Sequence, residues 1–246
     1  MITDAHFHAD LLPQKKLEEI QENKRIKFVV TNSVNIKSIQ KNFEISEKFS
    51  KIKLAVGLYP EKNLREKDFE KFVKFVRENK NKIVALGEIG LDLYEEKENF
   101  EIQKKVFLKI LELAKNTKLP VIIHSRKAEK EVLEIIEKFP SVKVVLHCFS
   151  GNFKLVKKGI ELGCFFSIPA NIVRSEHFQK MAGEIPREKI LTETDSPYLS
   201  PFREKENEPA FINESIKKIS EIWKIPRDKV EKIITGNFET FFGKLN

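Results

Sequence analysis

Short apolar runs rich in Val, Ile and Phe recur along the chain, separated by longer amphipathic stretches. The runs Ile2 to His6, Phe28 to Thr31, Lys53 to Gly57, Ile83 to Glu88, Val121 to His124, Lys143 to His147, Cys164 to Ser167 and Ile190 to Thr194 predict strands. Near-continuous apolarity, rather than alternation, is the pattern of strands covered on both faces of a parallel sheet. Between them, Ile36 to Ser50, Asp68 to Asn79, Phe100 to Lys115 and Ala128 to Lys138 carry apolar residues at helical spacing. In the third, Val106, Ile110 and Leu113 repeat along one face while lysines fill the other. Two more helices, Pro209 to Trp223 and Arg227 to Phe242, are expected at the end, with Pro226 as a start signal and Gly243 as a stop.

Strand and helix alternate throughout, and no Gly-, Ser- or Pro-rich linker interrupts them. The expectation is an α/β protein, a single (β/α)8 TIM barrel occupying residues 1–246, with any chemistry at the C-terminal rim of its strands. About 250 residues is typical of that fold. Hydrophobic residues at 41% and charged residues at 33% describe a globular chain. No run approaches the ~18 apolar residues that cross a bilayer. The N-terminus lacks a basic segment followed by an apolar one, so a cytoplasmic protein with no membrane partner is expected. Cys148 and Cys164 are too few for a disulfide framework and read as small buried side chains. A net charge of +8 suits a polyanionic substrate. Its lysines are interspersed with glutamates, however, and no basic stripe interleaved with aromatics marks a pure nucleic-acid-binding surface.

The chemistry concentrates at strand ends. His6 and His8 follow the first strand at the spacing that points two imidazoles to one side of an extended segment. Glu88 ends the fourth strand, His124 the fifth and His147 the sixth, and Asp195 follows the eighth. One such residue is unremarkable, but six at the end of a barrel where active sites form are a candidate metal centre. Four imidazoles and two carboxylates suffice for two divalent cations, with Glu88 able to bridge. Two cations about 3.5–4 Å apart can share a hydroxide and stabilise attacking and leaving oxygens, and Asp195 could then take a proton from the attacking water. Asp195 as a turn-capping residue before Pro197 is the alternative.

These residues lie in stretches that resemble the TatD family of metal-dependent deoxyribonucleases. The matching motifs are Asp4-Ala5-His6-Phe7-His8, Gly87 to Asp92, Leu119 to Arg126, His147 to Gly151 and Thr192 to Leu199, joined by Arg203 and Asn207-Glu208-Pro209. By that resemblance, His6, His8, Glu88 and Asp195 would gather one metal, and Glu88, His124 and His147 the second. It implies phosphodiester hydrolysis on DNA as a 3′-5′ exonuclease, by metal-bound hydroxide, with single strands or 3′ ends as partner. Magnesium or manganese would be the family's cations, while imidazole-rich ligand sets favour zinc, manganese or nickel, so the metal is open among Mg, Mn and Zn. The same site could hydrolyse esters or amides, including D-aminoacyl-tRNA.

Other residues are secondary candidates. Arg126 could grip a phosphate or make an ordinary ion pair, and Arg203 and Asn207 could bind substrate or pin their loop. The family pattern Gly-x-His-Pro-His is replaced here by Gly57-Leu58-Tyr59-Pro60-Glu61. Tyr59 is therefore expected to contact substrate by stacking or through its hydroxyl. Glu204 stands where the family commonly has glycine, and Asp92 reads as an acceptor that orients a neighbour.

Overall fold

The computed structural model describes residues 1–61 and 65–245. Among them are eight strands: β1 (Ile2–Phe7), β2 (Ile26–Asn32), β3 (Ile52–Val56), β4 (Ile83–Gly90), β5 (Val121–His124), β6 (Val144–His147), β7 (Phe165–Pro169) and β8 (Ile190–Glu193). The α-helices are α1 (Gln14–Glu22), α2 (Ile36–Lys48), α3 (Glu66–Asn79), α4 (Phe100–Thr117), α5 (Glu129–Ile136), α6 (Phe153–Glu161), α7 (Glu176–Glu184), α8 (Ile212–Trp223) and α9 (Arg227–Phe242). Hydrogen bonding places the strands in one sheet in sequential order from β1 to β8, the strand order of a (β/α)8 fold. No helix among the described residues is long and apolar enough to cross a membrane.

By their contacts, the residues group into two compact units, the first comprising Met1–Thr31, Asn42–Lys53 and Phe166–Asn246, the second Asn32–Lys41 and Leu54–Phe165. In the first unit β1 pairs in parallel with β2, and β7 with β8. β8 lies beside β1, where the Thr192 hydroxyl donates to the carbonyl of Thr3 at 2.9 Å. Helices α8 and α9 bury Ile212, Ile216, Ile219 and Trp223, and Val230, Ile234, Phe238 and Phe241, at helical spacing. Each such side chain contributes about 1.5–3 kcal/mol relative to exposure. The register of β1 against β2 slips between Asp4 and Phe7, three steps on β1 facing two on β2. The extra residue is a bulge at the level of His6, a device that re-aims a side chain.

In the second unit β3, β4 and β5 pair in parallel, as do β5 and β6. The same slip recurs in β4, where Leu86 to Ile89 faces Val121 to Ile123, and here the bulge carries Glu88. Two glycines let backbones approach at this level. A Cβ on Gly57 would stand 2.2 Å from the carbonyl oxygen of Glu88, and one on Gly90 (φ +139°) 2.0 Å from that of His124. In α4 the predicted stripe of Val106, Ile110 and Leu113 is buried, together with Phe107 and Leu111.

The apolar runs located each strand to within two residues at either end. Helices α1, α6 and α7 were not expected, because they are short and mostly polar. Caps mark two of them: the Asn152 side chain accepts from the backbone N–H groups of Lys154 and Leu155, and that of Ser175 from Phe178. The helix expected from Pro209 divides into a single 3-10 turn, Pro209–Phe211, followed by α8.

Candidate metal centre

In the first unit, His6 lies within the bulge of β1, His8 just beyond the strand, and Asp195 two residues past β8. Nε2 of His6 and Nε2 of His8 are 3.4 Å apart, and Oδ1 of Asp195 lies 3.5 Å from the first and 3.3 Å from the second. Ligands about 2.0–2.1 Å from a tetrahedral cation stand about 3.3–3.4 Å from one another, so these three atoms have the spacing of one face of such a site. The donor set, two imidazoles and one carboxylate, suits a zinc-like or manganese-like ion.

The backbone is built to hold that cluster. Asp195 adopts the left-handed conformation (φ +57°), which aspartate tolerates better than most residues. Its N–H donates to the carbonyl of His6, and the N–H of His8 donates to the carbonyl of Ser196. Asp4 is buried and clamps both strand ends, accepting from the backbone of His6 and of Thr194 through Oδ1 and from the Thr194 hydroxyl through Oδ2. Burial pushes its carboxyl up to about 8, against the opposing pull of the Thr194 and His6 hydrogen bonds. Asp4 is a site residue the sequence reading passed over, although an acid inside an apolar strand two positions before His6 was the available signal.

In the second unit, Glu88, His124 and His147 come together at the C-terminal ends of β4, β5 and β6. Oε1 of Glu88 lies 2.9 Å from Nδ1 of His124 and 3.8 Å from Nε2 of His147. The other nitrogen of His124 faces Oδ2 of Asp92 at 2.9 Å. Burial alone would lower the His124 pKa, but the Asp92 and Glu88 carboxylates outweigh it and hold it up. Asp92 is correspondingly held down at about 2, where burial is overcome by hydrogen bonds from His124, the Glu95 backbone and Tyr59. The Tyr59 hydroxyl donates to Asp92 Oδ2 at 2.9 Å, and burial beside Glu88 and Asp92 raises its pKa. Asp92, expected to orient a neighbour, therefore touches a candidate ligand directly.

The remaining candidates divide. Arg126 is exposed, pairs with Glu95 at 2.7 Å and lays its guanidinium 3.8 Å from the ring centre of Tyr94. Of the two roles open to Asn207, pinning is the one shown: its amide donates to the carbonyls of Thr194 (2.6 Å) and Tyr198 (2.7 Å), and Oδ1 accepts from Glu208. Arg203 is exposed on the loop between β8 and α8. The loop also carries Tyr198, which the sequence reading left without a role. It is 56% exposed, and its ring meets that of His8 edge-on at 6.1 Å.

A profile of the family described as TatD related DNase matches residues 3–243. The chain belongs to the TatD family. It is 32% identical over 243 residues to an uncharacterised metal-dependent hydrolase of Methanocaldococcus jannaschii, covering 97% of this chain and 96% of that one. It is 29% identical to the human deoxyribonuclease TATDN3 over 261 residues, covering 99% and 95%. Among solved structures, the TatD homologue YJJV of Escherichia coli superposes with a TM-score of 0.90 at 23% identity, covering 99% of this chain and 98% of that one, which shows the shared (β/α)8 fold. As a TatD family member, the protein is a metal-dependent hydrolase acting on ester bonds.

Proposed function

We propose that this TatD protein hydrolyses phosphodiester bonds in DNA, removing nucleotides from the 3′ ends of single strands. His6, His8 and Asp195 would hold one divalent cation, and Glu88, His124 and His147 a second. When bound, such cations supply Lewis acidity toward a phosphoryl oxygen and make water acidic enough to attack near neutral pH. The chain's own groups do the rest. Asp195 has the most exposed side chain of its cluster (14%, against 0% for His6 and 8% for His8), so its carboxylate is the group placed to accept a proton from an incoming water. Arg126 offers a planar fork to a phosphate at an exposed position where Glu95 can be exchanged. Tyr198 presents a ring on which a nucleobase can stack.

The observation that carries this reading is the His6–His8–Asp195 cluster, whose spacings suit a shared cation. DNA as substrate is supported by the family's description and by the name of the human relative. The cuts between the two compact units fall inside β2, α2, β3 and β7 rather than in linkers, which supports one domain over residues 1–246.

The test is stepwise shortening of a 5′-labelled single-stranded oligonucleotide by metal-stripped protein given magnesium, manganese or zinc in turn. A ladder of 3′-shortened products that a chelator abolishes is expected. Absence of product with every cation refutes the proposal. Release of the amino acid from D-aminoacyl-tRNA by the same preparation, with DNA left intact, would assign the site to ester hydrolysis on tRNA instead.

A further inference from the structure

Asp92 is a saturated acceptor. Its Oδ1 takes the backbone N–H groups of Tyr94 and Glu95, each at 2.8 Å. Its Oδ2 takes the Tyr59 hydroxyl and faces Nε2 of His124, each at 2.9 Å. Gln103 fixes its backbone, accepting from the Asp92 N–H and donating to the Asp92 carbonyl. A carboxylate offers about four lone-pair directions and no proton, so all of them are spent and each partner must be a donor. Nε2 of His124 therefore carries hydrogen. The other ring nitrogen, Nδ1, is the one aimed at Glu88.

We propose that Tyr59 and Asp92 form a positioning pair that locks the protonation pattern and ring orientation of His124, making Nδ1 its metal-binding atom. The inference rests on the reading of His124 as a ligand and assigns Tyr59 to this pair rather than to substrate. Three features support the assignment. The Tyr59 hydroxyl is 3.2 Å from Nε2 of His124 as well as bonded to Asp92, so it closes a three-membered polar contact around that nitrogen. The Tyr59 ring stands edge-on to the imidazole at 4.8 Å between centres, which limits rotation of the His124 ring. Asp92 is fully buried, so no water competes for its oxygens. A hydrogen bond from a ligand imidazole's second nitrogen to a carboxylate fixes the tautomer and raises ligand basicity.

The experiment is long-range 1H–15N correlation on zinc-loaded protein with labelled histidine rings, together with zinc affinity measured by competition with a chromophoric chelator. The His124 spectrum should show hydrogen on Nε2 and zinc on Nδ1. Asp92→Asn should weaken zinc binding by about 10- to 100-fold. Tyr59→Phe removes one neutral hydrogen bond and should weaken it by about 3- to 10-fold, with a changed Nε2 shift. Tyr59→Phe keeps the ring, so it carries the test if Asp92→Asn does not fold. Hydrogen on Nδ1 of His124, or unchanged zinc affinity in Tyr59→Phe, overturns the proposal while leaving the metal reading intact. Wild-type protein that binds no zinc, manganese or magnesium overturns both.

Discussion

The backbone N–H of Asp195 donates to the carbonyl of His6 at 2.8 Å, and the side chains of the same two residues meet at 3.5 Å. One peptide hydrogen bond thus sets the register of a candidate ligand from β1 against the candidate proton acceptor after β8. Asp195→Asn keeps that bond and the shape of the side chain but removes its basicity. Nuclease turnover should fall by about 100-fold or more, the lower end of what a positioned base contributes, with an unchanged circular dichroism spectrum. A variant retaining a tenth of wild-type turnover would remove Asp195 from that role.

Gly57 is a spacer for Glu88. The methyl of Gly57→Ala would stand 2.2 Å from the Glu88 carbonyl oxygen, a backbone atom that cannot swing aside. Overpacking of this kind costs about 1–3 kcal/mol. Urea unfolding should show that loss, and cation affinity should drop because the strain is relieved at the residue carrying the carboxylate. Wild-type stability and affinity together would show that β3 and β4 can separate freely here.

What the sequence revealed of this molecule follows from physical scale. Strands buried on both faces must be apolar throughout, so runs such as Val121 to His124 announce themselves and end where polarity is needed. His6, Glu88, His124 and His147 were legible for that reason, each being a polar group at the end of an apolar run. The bulges at His6 and Glu88 were not, because register is a relation between strands that no single segment encodes. Tyr59 was read as a substrate contact because its neighbours in sequence say nothing of Asp92, 33 positions away, which receives its hydroxyl. Asn207 likewise carried two meanings until the carbonyls of Thr194 and Tyr198 took both hydrogens of its amide.

Cation removal should be visible in stability as well as in turnover. A cation that binds the folded chain and not the unfolded one stabilises it by about 2.7 kcal/mol at a hundredfold excess over its dissociation constant. For a chain of this length that amounts to a rise in Tm of about 5–10 °C. Zinc or manganese added to metal-free protein should produce it, a chelator should reverse it, and His6→Ala should blunt it. An unchanged Tm at millimolar cation would mean that the His6–His8–Asp195 cluster binds nothing.

Arg126 and Glu95 make opposite predictions for substrate binding. If the guanidinium exchanges Glu95 for a phosphate, Arg126→Ala should raise KM for DNA by about tenfold, the value of one charge-assisted hydrogen bond at the lower end. Glu95→Gln should lower KM, because the competing carboxylate is gone while the Tyr94 ring still supports the arginine. Both effects should shrink as salt rises. Equal KM in the two variants would restrict Arg126 to its surface ion pair.

Tyr198 tests whether the substrate is a nucleic acid at all. Its ring is exposed beside His8, while its backbone is fixed by the N–H bond to Asp195 and by the Asn207 amide, so the aromatic face is presented without being free to wander. Stacking of one base on such a ring is worth about 1–3 kcal/mol, or roughly 5- to 150-fold in affinity. Tyr198→Ala should therefore weaken single-stranded DNA binding within that range, and Tyr198→Phe should preserve it, since the hydroxyl has no part in stacking. The cation-induced rise in Tm should survive in both, because neither change touches a metal donor. If Tyr198→Ala left DNA affinity intact but reduced cation affinity, the ring would be packing against His8 for the sake of the metal cluster, and the base-stacking role would have to be abandoned.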